Sequence, residues 1–346
     1  MEEDTTIVNT SLKINKNNSK NYYFSKNLVN DSSVQGRFDN TFCIIKSIDN
    51  ILILIYTNEN NSIKSYNLIH FQLMIEIKKA HDQYITNFRY ILDNINKRDL
   101  IISVSKLDNN IKLWNIKNWN CLLNMKNINN KGYLYSACFL EDNQHIYILT
   151  SNGGYDKNAE PIKLYDYNNG KKVKDINEST IRTYFIDTFY DKTLSINYII
   201  TGNDEYVKSY DFNTNKKYHL YYDSNYRWSK CHYSIVIYYN DKNINMIESN
   251  IDYIRIWDFH SEKLLNKIKV GSCYLYGICL WNNKQLFVGT SDHKIKLIDI
   301  EKQINLKTLS GHKNKVLTLR KINHPQYGEC LISQSAYSDS IKLWKI

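Results

Sequence analysis

Ile111-Lys112-Leu113-Trp114 is a short phrase that the chain repeats, with small changes, six more times. Each copy fits a short alternating strand and ends on an aromatic or aliphatic anchor. The other copies are Ile63–Tyr66, Ile162–Tyr165, Val207–Tyr210, Ile254–Trp257, Ile295–Ile298 and Ile341–Trp344. Successive anchors lie 48, 51, 45, 47, 41 and 46 residues apart. A period in the forties built from short strands is typical of the blades of a β-propeller.

The sixth repeat shows how one unit divides into strands. Its four apolar segments are Leu275–Leu280, Leu286–Thr290, Ile295–Ile300 and Leu306–Leu309. Short apolar and β-branched runs bounded by Asn, Asp and Gly turns are strand signals, and no stretch keeps a helical period. The inner strands Tyr133–Leu140 and Tyr274–Trp281 also resemble each other closely. We therefore predict an all-β fold, a seven-bladed β-propeller with four-stranded antiparallel blades.

Length and composition agree with one closed domain. Seven units of this size use nearly all of the 346 residues, and hydrophobic and charged fractions of 42% and 23% are ordinary for a globular protein. No apolar run is long enough to span a membrane, and no apolar segment follows the acidic Met1–Asp4 as a secretory signal would. Seven cysteines without a Cys-x-x-Cys pair fit free thiols in a reducing compartment. We expect a cytoplasmic protein, with a nuclear location left open.

The net charge of +10 is weaker evidence for nucleic acid than its size suggests. The chain is rich in Asn, Ile, Lys and Tyr, a skew typical of an AT-rich genome, and its basic residues are scattered among loops. A basic residue recurs once in each repeat, at Lys64, Lys112, Lys163, Lys208, Arg255, Lys296 and Lys342. Because these residues would point in seven directions rather than form a stripe along phosphates, we interpret them as structural.

Two of the repeats resemble the Trp-Asp ending of WD40 repeats. They are Asp108 with Ile111–Asn115, and Ile254–Asp258, while Ser310-Gly311-His312 looks like the Gly-His that opens the next repeat. Only Trp257-Asp258 keeps the Trp-Asp pair itself. The resemblance implies a single propeller over residues 21–346, monomeric on its own, after an N-terminus of residues 1–20 that we expect to be disordered.

The resemblance also implies two sets of structural hydrogen-bonding residues. In WD40 repeats a His, a Ser or Thr, an Asp and the Trp are linked within one blade. The matching residues are His81, Ser103, Asp108 and Trp114 in blade two, and His312, Ser333, Asp339 and Trp344 in blade seven. A buried indole N–H, hydroxyl and imidazole each need a partner, so we expect these residues to support the fold rather than to catalyse a reaction.

The resemblance predicts how the ring closes. The sequence ends at Trp344-Lys345-Ile346, at the end of a third strand, so the seventh blade needs an outer strand from elsewhere. Propellers of this family take it from the N-terminus. The stretch Tyr22–Val29 precedes the first inner strand, near Thr41–Ile48, and we predict that it pairs beside Ile341–Lys345.

The sequence contains no recognisable catalytic constellation. Phosphate-binding glycine loops, a Gly-x-Ser-x-Gly elbow and a His-Glu-x-x-His motif are all missing, and the nine His are dispersed. A Phe-Arg-Arg-Gly loop, through which some related propellers bind phosphoinositides, is missing too. We therefore expect a non-enzymatic protein without a metal or cofactor.

Aromatic and basic residues in the links between blades favour a protein-interaction scaffold or adaptor within a complex. Tyr, Trp and Arg carry much of the energy at protein interfaces. The candidate partner-binding residues are Tyr84, Tyr135, Arg182, Tyr226, Arg227, Trp228 and Tyr274. A second reading is that tyrosine is merely abundant and some of these rings pack between blades. An RNA- or ribosome-associated basic propeller is the alternative function.

Overall fold

A computed structural model of the chain contains seven antiparallel sheets of four strands each. It describes residues 24–29, 41–58, 60–129, 132–151, 160–176, 183–203, 206–214, 217–223, 234–240, 243–336 and 341–346. The predicted all-β, seven-bladed propeller is confirmed. The predicted disorder of residues 1–20 lies outside the described residues.

Blades one to four are meanders of consecutive strands. Blade one contains β2 (Phe42–Lys46), β3 (Leu52–Thr57), β4 (Ile63–Asn67) and β5 (Gln72–Ile77). Blade two contains β6 (Ile85–Asp93), β7 (Arg98–Ser105), β8 (Asn110–Asn115) and β9 (Asn120–Met125). Blade three contains β10 (Ala137–Asp142), β11 (His145–Thr150), β12 (Ile162–Asp166) and β13 (Lys172–Ile176). Blade four contains β14 (Phe185–Asp191), β15 (Ile196–Gly202), β16 (Val207–Asp211) and β17 (Lys217–Tyr221).

Blades five and six repeat this order, and blade seven departs from it. Blade five contains β18 (Ser234–Asn240), β19 (Asn243–Asn250), β20 (Tyr253–Asp258) and β21 (Leu264–Lys269). Blade six contains β22 (Leu275–Asn282), β23 (Gln285–Thr290), β24 (Lys294–Asp299) and β25 (Ile304–Ser310). Blade seven contains β26 (Val316–His324), β27 (Gly328–Ser335), β28 (Ile341–Lys345) and β1 (Phe24–Val29). The strand bounds in blade six lie within two residues of the predicted segments.

The core lies between the blades rather than within any one of them. The second strands are the most buried: seven of the eight residues of β7 are buried, whereas the outer strands β5 and β9 are largely exposed. Each hydrophobic cluster draws on two neighbouring blades; one cluster, for example, joins Leu100 and Ile102 of blade two to Ala137 and Ile148 of blade three. Burial of both faces of a sheet is therefore shared around the ring.

The anchor residues share one backbone feature. In the six blades whose fourth strand follows the third in sequence, the pairing register of these two strands shifts at the anchor. Such a bulge bends a strand and redirects its side chain. The anchors are Tyr66, Trp114, Tyr165, Tyr210, Trp257 and Ile298. Each of them, like Trp344, packs in a cluster with residues of the preceding blade.

The residue after each of these six anchors is Asn or Asp and shapes the next turn. Asp258 Oδ1 accepts the backbone N–H groups of His260 and Ser261 at 3.2 and 2.8 Å, and Asn67 Oδ1 accepts those of Ile69 and His70 at 2.8 and 3.1 Å. Asn115, Asp166, Asp211 and Asp299 make the same kind of contact. Asn and Asp both supply this oxygen, so exchange between them preserves the turn.

The strand β1 lies antiparallel to β28, from Phe24 opposite Lys345 to Val29 opposite Ile341. The Lys342 ammonium donates to Asn27 Oδ1 at 2.8 Å, and Leu28 is buried in the cluster that joins blades seven and one. Segments from the two ends of the sequence thus complete one sheet. The observed strand begins two residues after the predicted Tyr22.

Removing residues 1–30 should destabilise the whole ring. The deletion exposes the backbone edge of β28 and uncovers the cluster that Leu28 seals. We expect a fall in melting temperature of several degrees, because losing a strand and its apolar contacts should cost several kcal/mol and about 1 kcal/mol shifts Tm by about 1–2 °C in a domain of more than 300 residues. Circular dichroism melts of the full chain and the deletion would show this.

Deletion of residues 1–20 alone is the matched control and should leave Tm unchanged, because β1 is intact. Equal melting of the full chain and of the chain without residues 1–30 would contradict the role given to β1.

Candidate partner-binding face

The strand order places each loop on one of two faces of the ring. The links from an outer strand to the next inner strand lie on one face, and the turns between second and third strands lie on that same face. We call this side the link face. Three predicted partner-binding residues lie there: Tyr84 just before β6, Tyr135 before β10 and Tyr274 before β22. Arg182, Tyr226, Arg227 and Trp228 lie outside the described residues.

Tyr135 is the centre of a cluster that crosses two blade boundaries. Its ring centroid lies 5.1 Å from that of Tyr184 in an edge-to-face arrangement and 6.4 Å from that of Tyr133. The Lys106 ammonium, from the turn between β7 and β8, lies 4.3 Å from the Tyr135 ring centroid and 5.1 Å from that of Tyr133. Such cation–π and edge-to-face contacts fix the orientation of half-exposed rings. We call these four residues the tyrosine cluster.

Tyr274 is the most exposed of the three described candidates. Its relative exposure is 57%, yet its backbone is fixed, because its N–H donates to Ser291 Oγ at 3.0 Å and its carbonyl accepts the Ser291 N–H at 2.9 Å. A large ring on a fixed backbone can be buried by a partner at low entropic cost. Tyr84, by contrast, is half-buried.

Lysine–tyrosine contacts recur around the link face. Lys315 lies 5.3 Å from the ring centroid of Tyr276, and Lys208 lies 4.4 Å from that of Tyr206. In blade five, Lys267 lies 4.8 Å from the Tyr253 ring centroid. The face therefore combines aromatic area with positive charge at Lys106, Lys208 and Lys315, whereas the charge of Lys267 is balanced by Asp223.

Three of the four residues of the predicted hydrogen-bonded set in blade two meet directly. The Trp114 indole N–H donates to Ser103 Oγ at 2.8 Å, and the same oxygen lies 2.7 Å from His81 Nε2. Ser103 Oγ therefore accepts the indole N–H and also bonds to the imidazole, and the tautomer of His81 decides which of these two groups donates. Asp108 lies one step away: it accepts the backbone N–H groups of Asp82 and Gln83, at 3.1 and 2.9 Å.

Burial, and then the nearby charge of Lys112, lowers the pKa of His81 to about 3 from an ordinary 6.5. The imidazole is only 1% exposed. His81 therefore stays neutral at physiological pH and serves as a fixed member of the blade.

Blade seven repeats the arrangement. The Trp344 indole N–H donates to Ser333 Oγ at 2.7 Å, and His312 Nε2 lies 2.6 Å from that oxygen. Gly311, before the histidine, has a φ of 152°, and a Cβ there would lie 3.2 Å from the Trp344 ring. The Gly-His order thus suits both the backbone and the close approach of the indole. Asp339 lies outside the described residues.

In blade five a buried ion pair takes the place of the His–Ser contact beside the tryptophan, and the sequence analysis did not predict it. Glu248 pairs with Arg255 across the strands, the position that Ser103 holds opposite Lys112 and Ser333 holds opposite Lys342. The Trp257 indole N–H donates to Glu248 Oε1 at 3.2 Å, and Arg255 Nη1 lies 3.6 Å from the same oxygen. Both Glu248 and Arg255 are almost fully buried.

Asp223 completes this ionic set. Its Oδ2 accepts Arg255 Nε at 3.1 Å and Lys267 Nζ at 2.6 Å. Two carboxylates and two cations therefore balance in a largely buried site. The only sequence signal was Arg255, the one arginine among seven repeat positions that otherwise hold lysine.

The repeat lysines hold the links between blades. Lys112 Nζ donates to the Ala80 carbonyl at 2.6 Å, Lys163 Nζ to that of Ile128 at 2.5 Å, and Lys296 Nζ to that of Val270 at 2.9 Å. Each carbonyl lies between the preceding outer strand and the lysine's own blade. A buried carbonyl needs such a partner, so these three ammonium groups act within the fold.

Metal-binding groups and membrane-spanning helices were sought among the described residues. Among them, no group of three or more His, Cys, Asp or Glu side chains is arranged to hold a metal ion. No helix within the described part of the chain has the length and apolarity that a membrane crossing requires.

Breaking the ionic set should destabilise the fold markedly. In Glu248→Ala, Arg255 loses one buried partner and the Trp257 N–H loses its acceptor, so we expect a loss of about 3 kcal/mol in the free energy of unfolding. Chemical denaturation at neutral pH measures it. Glu301→Ala removes an exposed partner of Lys284 and should cost less than about 1 kcal/mol. Equal losses in the two variants would contradict the assignment.

Acid should destabilise the protein through His81. The pKa of His81 is about 3 in the folded state and 6.5 ordinarily. Below pH 6.5, therefore, the imidazole is protonated in the unfolded chain but stays neutral in the folded chain until the pH nears 3. This site alone should lower the unfolding free energy by about 2 kcal/mol between pH 7.5 and 5. Denaturation curves at several pH values should show a flatter dependence for His81→Gln than for the wild type. His70→Gln, at an exposed site, should keep the wild-type slope; equal slopes in all three proteins would contradict the role of His81.

Comparisons with known proteins assign no family to this chain. No family model matches the sequence, and no curated protein matches it either. The structure shows seven sheets, of which the last is completed by β1. It also shows the same His–Ser–Trp contact in blades two and seven. The molecule is a seven-bladed β-propeller, a fold that commonly serves as a scaffold for protein interactions.

Proposed function

We propose that the chain is a WD40-like propeller that acts as a non-enzymatic scaffold or adaptor in a multiprotein complex and binds partners through its link face. The observation that carries this proposal is the concentration of partly exposed tyrosines and lysines on that face, at positions fixed by the fold. The tyrosine cluster spans blades two to four, and Tyr274 stands on blade six. The six described cysteines are free thiols, which fits action in the reducing cytoplasm.

Pre-organisation is what makes these rings suited to recognition. The Tyr184 N–H donates to the Gly202 carbonyl at 2.9 Å, and the backbone of Tyr274 is tied to Ser291 at both polar groups. A partner therefore buries aromatic area without first ordering a loop, which reduces the entropic cost of association. Lysines beside the rings add donors and positive charge, so partners with acidic surfaces are favoured.

The internal use of the repeat lysines supports a protein partner over a nucleic acid. The ammonium groups of Lys112, Lys163 and Lys296 donate hydrogen bonds to backbone carbonyls in the links between blades. Among the described residues of the link face, Lys106, Lys208 and Lys315 each lie against a tyrosine ring on a different blade, whereas phosphate recognition favours a continuous basic track.

Tyr274→Ala should weaken partner binding while leaving the fold intact. Loss of a central aromatic anchor costs about 2 kcal/mol, or about a thirtyfold rise in Kd. Partners would first be identified by affinity capture from cell lysates with and without nuclease treatment, and Kd then measured with the purified partner by surface plasmon resonance. Thermal melts of the variant should match the wild type, because the ring is largely exposed.

Tyr190→Ala is the matched control. Its ring is 49% exposed but lies near the end of β14, on the face opposite the links, so its removal should leave Kd unchanged. Equal effects of the two variants, or loss of every partner on nuclease treatment together with steeply salt-dependent RNA binding, would contradict the proposal.

A further inference from the structure

The inner strands surround a cavity in the central channel. Its volume is about 360 Å³, at the small end of the range of ligand-binding pockets, and residues of β2, β6, β14, β18, β22 and β26 line it. Phe42, Phe185 and Ser234 stand at the starts of their strands, so the cavity reaches the link-face half of the channel. The charged residues among those that line it are Arg89, Asp187 and Arg320.

Arg89 and Asp187 form an ion pair whose facing atoms make no hydrogen bond to each other. Arg89 Nη2 lies 3.8 Å from Asp187 Oδ2, which is longer than a hydrogen bond. Arg89 Nη1 donates to the Phe88 carbonyl at 3.2 Å, and Asp187 Oδ1 accepts the Thr188 N–H at 2.9 Å. Within the described part of the chain, neither Nε nor Nη2 of Arg89 donates a hydrogen bond, and Asp187 Oδ2 accepts none. One donor group and one acceptor therefore converge in the cavity with bonding capacity left for a ligand.

The pair spans blade three. Arg89 lies on β6 of blade two and Asp187 on β14 of blade four, and β10 of blade three runs between them. Burial raises the pKa of the Cys138 thiol on β10, Asp187 raises it further and Arg89 opposes both effects. This thiol is therefore neutral and adds no charge beside the pair. The two side chains are 17% and 45% exposed, so a solute in the channel can reach them.

Apolar side chains form much of the remaining wall. They are Phe42, Ile44, Phe88, Phe185, Ile235, Val236 and Ile278. Phe185 and Asp187 are two residues apart on β14, so their side chains lie on the same side of that strand and an aromatic ring adjoins the charged pair. A bare inorganic ion would leave this apolar surface in contact with water, whereas an organic side chain would cover it.

We propose that the channel binds a free α-amino acid with an apolar side chain, whose carboxylate bonds to Arg89 and whose ammonium group bonds to Asp187. The two charges of an α-amino acid are attached to one carbon, so they lie close enough together to face two groups that are 3.8 Å apart. Both contacts are charge-assisted hydrogen bonds, and a guanidinium also matches a carboxylate in shape. A simple anion or cation would satisfy one member of the pair and face a like charge at the other.

The apolar part of the ligand would lie against the phenylalanine residues of the wall. A site with apolar walls and a few convergent polar groups is the usual form of a small-ligand pocket. Arg320 reaches the cavity from blade seven and donates to the Leu319 carbonyl at 2.8 Å; the proposal gives it no role. The inference goes beyond the proposed scaffold function and does not depend on it.

Isothermal titration of the full chain with L-phenylalanine and three analogues tests the recognition of both charges. N-acetylphenylalanine lacks the ammonium group, phenylalanine amide lacks the carboxylate, and glycine lacks the apolar side chain. We expect L-phenylalanine to bind at least about tenfold more tightly than each analogue, because each loses one charge-assisted bond or the apolar contact. The two blocked analogues also stand for the ends of a peptide chain, which carry only one of the two charges.

Two substitutions locate the site. Arg89→Gln and Asp187→Asn should each weaken L-phenylalanine binding about tenfold or more, since each removes one charged partner. Asn at position 187 keeps the oxygen that accepts the Thr188 N–H, so the strand should be preserved. The matched controls are Lys172→Gln and Asp175→Asn, which break an exposed ion pair of 3.0 Å and should leave the affinity unchanged.

The proposal fails if L-phenylalanine shows no saturable binding up to about 10 mM, or if either blocked analogue binds as tightly as L-phenylalanine. It also fails if Arg89→Gln or Asp187→Asn, shown by thermal melts to be folded, keeps the wild-type affinity. Should a variant not fold, the comparison of L-phenylalanine with the two blocked analogues on the wild-type chain still decides the matter.

Discussion

Each blade is stable only while it is held between two others, and this mutual burial is the constraint from which the rest of the structure follows. The hydrophobic clusters all join neighbouring blades, and the anchor of each blade packs against the blade before it. An open row of such sheets would leave one apolar face uncovered at each end. Pairing of β1 with β28 turns the row into a ring, in which each blade has two neighbours.

The variation among the repeats follows from what each anchor requires. A buried indole N–H needs an acceptor, and each of the three tryptophan anchors has one on the neighbouring strand: Ser103, Glu248 or Ser333. In blade six the anchor is Ile298, which has no N–H group, and the corresponding position is the apolar Val288. In these four blades the anchor and the residue at the acceptor position are therefore matched, and each blade keeps its four strands.

The fold could be predicted because it depends on local spacing. Strands of five to nine residues and turns shaped by Asn or Asp recur along the chain, and both are visible in one sequence. The His81–Ser103–Trp114 contact came from the family resemblance rather than from spacing. The exchange of Ser for Glu248 in blade five was missed because only its partner, Arg255, deviates visibly from the repeat.

The presence of Arg89 and Arg320 on one cavity wall could not be predicted from the sequence for a different reason. Arg89 and Arg320 are separated by most of the chain, and each stands alone within a strand of ordinary composition. Only closure of the ring brings blades seven, one and two side by side. The tyrosine cluster is an intermediate case: the tyrosines of the links could be found by inspection, whereas Lys106, from a turn in another blade, could not.

The link face and the channel meet at adjacent residues. Tyr184 belongs to the tyrosine cluster, and Phe185, next in the chain, lines the cavity. Successive side chains of a strand point to opposite sides, so one peptide segment serves both surfaces. Close-packed interiors transmit strain, so any group that occupied the channel mouth would be coupled to a partner on the link face. Such coupling is reciprocal: each binding event would raise or lower the affinity of the other by the same factor.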